Sequence, residues 1–375
     1  MQNIFAPWGY IPILSISPAE MTALEELPGR DIDQLLPLFA LKGWAAANKL
    51  ESTLKRIEKS VGNRQWIADI DENFLSKNKT FLFTGKYPDK EIYREIQALL
   101  DPSDGYSNWC GFVESRSNLI PCMQHGEKEG FAVQAARLYS LGRGVVLRIR
   151  PEESNISKHS QILEILHMLG VKDVLFLYDL GTIDVNFAER IGLLNRFIVE
   201  ARAAVREAAF SVSSSSFPNS FSGQLKGENS IYERLLFNIV EASGIAEPLI
   251  YSDRGSARAE KQKGGSGTPP PRIDYPLKKD WKFVRREIDD NAPNSKEKRK
   301  SAYIEMAKEV VEADYWISSL RLWGTQQIEL TALGDDFSIN SAQKSTAVRI
   351  NIHLFNQLYY SQDTTGINTD EEWVD

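Results

Sequence analysis

Short apolar runs alternate with longer stretches of helical spacing along most of the chain. The runs are Ile11–Leu14, Leu35–Leu41, Gln65–Ile70, Leu119–Met123, Gly144–Ile149, Asp173–Tyr178, Ala208–Val212 and Pro248–Tyr251. Apolar spacing of three and four marks helices between them: Met21, Leu24 and Leu27 over Pro18–Leu27, and Ile92, Ile96 and Leu99 over Lys90–Leu100. Phe131–Leu141, Gln161–Leu169, Val185–Arg206 and Ile231–Ala242 read the same way. Runs without a polar face predict strands buried on both sides, as in a parallel sheet covered by helices. Eight such β-then-α units are the number at which the sheet closes into a TIM-like (β/α)8 barrel. An open doubly wound sheet would carry a Gly-rich first turn. Here Ser15-Ile16-Ser17-Pro18 follows the first strand, and no phosphate-loop pattern occurs.

The rhythm holds to about Tyr251 and predicts a barrel over 1–271. Two Ser-, Gly- and Pro-rich segments break it, Ser213–Gly223 (within a long loop over 213–230) and Asp253–Pro271. Both read as mobile loops on the C-terminal face, where barrel enzymes keep their sites. Residues 272–375 form an α+β extension packed on the barrel. It holds a strand-like Trp281–Arg286, a helix over Ala302–Leu320, the run Val348–Leu354 and an acidic tail, Asp370–Asp375.

Composition narrows the class without naming a reaction. The 375 residues are 42% hydrophobic and 25% charged, with formal net charge −7, which excludes a disordered or collagen-like chain. Cys110 and Cys122 are too few for a disulfide framework or a zinc site. No apolar stretch approaches the ~18 residues of a membrane span. Met1 to Tyr10 lacks the pattern of a signal peptide, so a cytoplasmic protein is expected. Charge is uneven: Ser252–Arg286 holds ten Lys and Arg against four Asp and Glu. Beside Tyr275 and Trp281, that segment suits either a nucleotide or nucleic-acid phosphate or a solvated linker.

Candidate chemistry collects at the strand ends. The third run ends in Asp69-Ile70-Asp71, the fifth carries Arg148 and Arg150, the sixth runs into Asp179, and the eighth into Asp253-Arg254. Paired carboxylates serve as general acid and base or hold a divalent cation such as Mg. Arginines beside them suit bidentate phosphate recognition. Asp69, Asp71 and Asp179 are therefore the catalytic candidates, and Arg148, Asp253, Arg254, Arg349 and His353 the ligand- or phosphate-binding ones. Each Asp could equally cap the next helix. His159 and His167 read as surface or flanking residues, and His125 could reach the mouth. Strand-like alternation sets Arg349, Asn351 and His353 on one polar face. Neither an HExxH nor a GxSxG pattern occurs, and Ser213–Ser216 reads as a flexible or anion-contacting loop.

Ordered short motifs resemble the beta protein family of phages and prophages. They include Tyr10-Ile-Pro-Ile-Leu14 followed by Ala19-Glu20 and Ala23-Leu24, then Leu36-Pro37-Leu38-Phe39 and Trp66-Ile-Ala-Asp69. Ile120-Pro121, Leu147-Arg148, Tyr178-Asp179-Leu-Gly181, Ser216-Phe217-Pro218 and Ser252-Asp253 are similar to the family's later strand ends. Trp281–Arg286, Leu322-Trp323-Gly324 and Arg349-Ile-Asn351-Ile-His353 resemble its closing elements. Family members tend to carry a basic residue after the first strand and a Glu ending the second. Here those places hold Ser15 or Ser17, and Ala40.

The resemblance implies a phage- or prophage-associated protein, with relatives in antiphage defence and toxin–antitoxin-like gene sets. Two functional expectations follow. One is a polar Asp/Arg pocket for a phosphate-bearing ligand or divalent ion. The other is a non-enzymatic immunity or regulatory protein acting on a partner protein encoded nearby. A glycoside hydrolase would place several aromatics at the mouth, where only Trp44 and Tyr251 stand out.

Overall fold

The computed structural model describes residues 3–44, 47–126, 128–259, 268–289, 293–364 and 367. All eight apolar runs form strands, in chain order β1 (Tyr10–Leu14), β2 (Leu38–Leu41), β3 (Trp66–Ile70), β4 (Leu119–Pro121), β5 (Val145–Ile149), β6 (Val174–Thr182), β7 (Ala209–Ser215) and, after an inserted strand β8 (Lys226–Ser230), β9 (Leu249–Asp253). They pair in parallel in the order β4-β3-β2-β1-β9-β7-β6-β5. The two outer strands meet at a single parallel bridge, Cys122 with Val146, and Met123 N–H donates to the Val146 carbonyl at 2.9 Å. The sheet thus curls into a TIM-like barrel with helices around it.

Both faces of the sheet are buried, which explains the unbroken apolar runs. Ile11, Ile13, Leu38, Ile67, Ile120, Val146, Leu175, Leu177 and Ile250 fill the interior, and Phe5 packs among them from the N-terminal segment. The alternate positions, among them Phe39, Leu147, Phe176, Tyr178, Phe210 and Tyr251, pack against the helices. Gly144, just before β5, has φ +72°, and a Cβ there would lie 2.7 Å from the Phe5 ring, so this position requires glycine.

β8 pairs with neither barrel neighbour. It forms a three-stranded antiparallel sheet with β10 (Arg272–Pro276) and β11 (Asp280–Arg285), in the order β10-β11-β8. Helices Ser295–Val311, Trp323–Ala332 and Ala342–Leu358 complete the C-terminal part. The last of these ties the parts together. Val348 and Ile352 join the C-terminal core, while Ile350, Leu354 and Phe355 join the barrel's outer core. Asn351 Nδ2 donates to the Ala23 and Glu26 carbonyls at 3.0 and 3.1 Å, serving the end of helix Pro18–Glu25.

Several sequence expectations are corrected. The run Val348–Leu354 is helical, and Arg349, Asn351 and His353 are all buried. A helix covered on every side shows no one-sided apolar stripe, and its inward polar residues imitate strand alternation. The helix expected over Ala302–Leu320 spans Ser295–Val311 instead. Ser213, Ser214 and Ser215 belong to β7 and are buried, because small side chains let the segment after β9 pack closely. There Ser215 Oγ donates to the Ala257 carbonyl at 2.6 Å. His159 is also buried, its ring 4.4 Å from Phe197 and its Nε2 3.2 Å from the Tyr178 hydroxyl. The long segment between β3 and β4 holds four helices, Glu72–Ser76, Lys79–Thr84, Glu91–Leu99 and Ser103–Glu114. The acidic tail, Asp370–Asp375, and 260–267 of the second loop lie outside the described residues.

Candidate functional site at the barrel mouth

Alternation within each strand decides which strand-end residues face inward. Asp69 stands two residues beyond interior Ile67, Arg148 two beyond Val146, and Asp179 two beyond Leu177. Arg254 stands four beyond Ile250. These four side chains meet. Arg148 donates to Asp179 Oδ2 through Nε at 3.1 Å and Nη2 at 2.7 Å, and to Asp69 Oδ2 through Nη1 at 2.9 Å. Arg254 Nη2 donates to the same Asp179 oxygen, while Gly181 N–H donates to Asp179 Oδ1 at 3.0 Å. Asp179 is 1% exposed, whereas the Arg148 and Asp69 side chains reach solvent at 19% and 17%. The cluster is therefore rooted in the barrel and opens at its rim.

Electrostatics hold the cluster ionised. Burial opposes the Asp179 charge, but Arg254 and then Arg148 outweigh it and bring its pKa below the ordinary value. Burial likewise opposes the charge on Arg148, and Asp179 and Asp69 outweigh it, so its pKa rises. Arg254 is lowered by burial, with Asp179 pulling the other way and Arg148 and Arg150 adding repulsion. A carboxylate so firmly ionised is a poor proton donor and a good anchor for guanidinium groups. His125 does reach this region: its Nε2 lies 3.1 Å from the Arg148 carbonyl. Burial and then Lys158 push its pKa down to about 4. The neutral ring must therefore carry its proton on Nε2 to satisfy that carbonyl.

Asp71 stands apart from this cluster. It caps helix Glu72–Ser76, accepting from Asn73 N–H at 3.0 Å, and lies 3.5 Å from Lys42 Nζ. Lys42 in turn donates to Ser15 Oγ at 2.7 Å. Glu20 accepts from Ser15 N–H at 2.9 Å and from Ser17 Oγ at 2.6 Å. Ser15 thus binds Lys42, and both serines bind Glu20 of the helix that Ser17 caps.

Asp253 does not face the mouth. It shares the outward parity of Tyr251, and its carboxylate accepts from His353 Nε2 at 2.7 Å, Tyr251 OH at 2.8 Å, Gly255 N–H at 2.7 Å and Tyr10 OH. Gly255 has φ +59°, and a Cβ there would lie 2.8 Å from Leu14. Burial opposes the Asp253 charge, but His353 and the other donors bring its pKa down. Glu233 lies close enough to feel Asp253 and His353 and accepts from Ser216 N–H at 3.0 Å. Burial, then Asp253, push it up to about 7. Arg349 belongs to a third group and donates to Asp274 Oδ2 at 2.8 Å. Tyr275 and Trp281 are fully buried and offer no stacking surface.

Of the residues that the sequence singles out, the structure brings Asp69, Arg148, Asp179 and Arg254 together and places Asp71, Asp253, His353 and Arg349 elsewhere. Lys42, Glu20 and Glu233 were missed. Lys42 sits one residue past β2, so reading every strand end for charge would have found it. Glu20 stands three residues after the N-cap Ser17, the Ser-x-x-Glu pattern of a helix start, whereas Glu233 lies within a helix and carries no local signal.

The comparisons cover nearly the whole chain. The family described as "Beta protein" matches residues 10–359, a span from β1 through helix Ala342–Leu358. "Protein beta" of Enterobacteria phage P4 is 27% identical over 381 aligned positions, which cover 99% of each protein. No solved structure matches. With a match running through every barrel strand and the closing helix, the chain belongs to the Beta protein family.

Proposed function

We propose that the barrel mouth binds a small phosphate-bearing ligand and that the protein serves a phage- or prophage-encoded system acting against other phages. The observation that carries the ligand is the convergence of Arg148 and Arg254 on Asp179 Oδ2. Arg148 and Arg254 thus stand beside the carboxylates of Asp69 and Asp179. Partly desolvated guanidinium groups favour an anion and match phosphate geometry. Ser213 and Ser252, on the inner face near the cluster, keep buried hydroxyls without a hydrogen-bond partner. They are free to turn toward a ligand.

A divalent ion such as Mg is less well supported. Arg148 occupies one oxygen of Asp69 and one of Asp179. Among the described residues no group of three or more His, Cys, Asp or Glu is arranged to hold a metal ion. Calorimetric titration with a panel of nucleotides and phosphorylated metabolites tests the reading. A ligand that loses at least tenfold in affinity in both Arg254→Gln and Arg148→Gln supports it, and identical affinities across these variants refute it. The antiphage role is tested by infecting cells that carry the Asp69→Ala, Asp179→Ala pair. Unchanged protection alongside an intact fold argues against it.

A second reading, an immunity or regulatory protein that binds a partner, draws on Leu333 and Phe337, each 85% exposed at one end of the C-terminal part. Exposed apolar patches, where such side chains adjoin, mark protein contact. A stoichiometric complex with a neighbouring gene product, lost on Leu333→Asp or Phe337→Asp, would favour this reading over the first.

A further inference from the structure

A second set of guanidinium groups gathers where the C-terminal part meets the barrel. Arg349, from helix Ala342–Leu358, donates Nη1 to Asp274 Oδ2 at 2.8 Å, and Arg272 Nε stands 2.8 Å from Asp274 Oδ1. Arg258, from the segment after β9, joins them, with its Nε donating to the Pro218 carbonyl at 3.0 Å. All three lie over one ring: their guanidinium carbons are 4.2 Å (Arg349), 5.5 Å (Arg258) and 5.5 Å (Arg272) from the centre of Phe217. Arg272 also lies 3.8 Å over Phe221.

The charges here do not balance. Arg272 and Arg349 share one carboxylate, Arg258 beside them pairs with none among the described residues, and both Asp274 and Arg349 are buried. Glu20 is the other carboxylate that feels Arg349, but its oxygens are taken by Ser15 and Ser17 and burial raises its pKa. Phenyl faces offset a guanidinium charge only in part, and an unpaired buried ion costs more than they return. A surplus near +2 remains. It shows in Arg349, which burial and the nearby Arg272 and Arg258 push down to about 10 despite Asp274. Arg349 Nε is buried without a hydrogen-bond partner. The Arg272 side chain, 19% exposed, keeps the group open to solvent.

We propose that this seam is a second anion site, built to take a phosphate group between Arg258, Arg272 and Arg349, with Asp274 holding two of the guanidinium groups in place. A phosphate monoester near pH 7 carries roughly −1.5 to −2, which matches the surplus, and its oxygens suit bidentate guanidinium donors. The site shares no residue with the barrel mouth and does not depend on the mouth binding anything.

Calorimetric titration of the full chain with inorganic phosphate and, separately, with adenosine monophosphate tests this at constant ionic strength, with chloride as control. Arg258→Gln is the main variant, because its side chain bonds the Pro218 and Asn219 carbonyls and lies over Phe217, and it should fold. Arg349→Gln is the second. At least a tenfold loss of one phosphate-binding event in Arg258→Gln, with that event kept within about twofold in Arg254→Gln, supports the seam. Asp274→Asn removes the one competing carboxylate and should tighten the same event. Preference for the nucleotide assigns the phosphate to a larger ligand, and equal binding assigns it to the free anion. Phosphate binding unchanged in Arg258→Gln, abolished by Arg254→Gln alone, or matched by chloride overturns the proposal.

Discussion

Arg148 and Asp179 sit on neighbouring strands but not side by side. Arg148 is in register with Leu177, so its guanidinium reaches one inward-facing position up β6 to meet the Asp179 carboxylate at 2.7 Å. That diagonal lets it also span to Asp69 on β3 across the barrel interior. Asp179 is thus shared by Arg148 and Arg254, and removing its charge leaves Arg254 without a carboxylate among the described residues. Asp179→Asn should cost about 3–5 kcal/mol, the range for breaking a buried pair. Asp69→Asn, at the more exposed end, should cost about 1 kcal/mol. Urea unfolding of both variants checks the order. Adding Arg254→Gln to Asp179→Asn should recover part of the loss, since the stranded cation is removed.

The pH dependence of stability should carry the mark of Glu233. In the folded chain it holds its proton to about pH 7, against an ordinary value of 4.5. A raised carboxyl stabilises the fold fully below pH 4.5, and the contribution fades as pH rises toward 7. With about 1.4 kcal/mol per pKa unit, wild type should lose roughly 3 kcal/mol relative to Glu233→Gln between pH 4.5 and 8. Asp179 and Asp253 act in the opposite sense. Their lowered values add stability at neutral pH that is lost only below the ordinary carboxylate range, as they become protonated. Chemical unfolding from pH 3 to 8 separates the two limbs, and parallel curves for wild type and Glu233→Gln would refute the first.

Asn351 is the third test. Its amide donates to two carbonyls of the barrel's first helical segment, and its Oδ1 accepts from Gly324 N–H at 3.0 Å. Asn351→Ala strands all three buried groups and should cost about 2–4 kcal/mol. Asn351→Asp keeps the acceptor and loses both donors, so it should be at least as damaging. Thermal unfolding measures both, and a loss below about 1 kcal/mol in Asn351→Ala would show that water replaces these bonds.

What the sequence made legible follows from burial. Strands covered on both faces are written as unbroken apolar runs, and all eight were found within a few residues. Their inward parity then brought Asp69, Arg148, Asp179 and Arg254 to one place. The helix Ala342–Leu358 defeated the same reasoning, because it is enclosed by two cores and its polar residues, Arg349, Asn351 and His353, point into partners supplied by distant segments. Asp253 shows the limit at a single residue. It lies at a strand end like Asp179, yet its odd position in the alternation turns it toward Tyr10, Tyr251 and His353 rather than into the mouth.

Ala40 gives a test of the sign of the mouth's ligand. It is in register with Asp69 and stands two residues beyond interior Leu38. Ala40→Glu adds a negative charge to the rim beside Asp69, Arg148 and Lys42. If the mouth takes an anion, this charge competes for the guanidinium groups and repels the ligand. The loss should be roughly 1–2 kcal/mol at an intermediate dielectric, which is about tenfold in affinity. A cationic ligand would instead bind more tightly, because three carboxylates would then face it. Titration of wild type and Ala40→Glu with the same phosphate-bearing compound therefore reads the sign directly, and a gain in affinity would overturn the anion assignment.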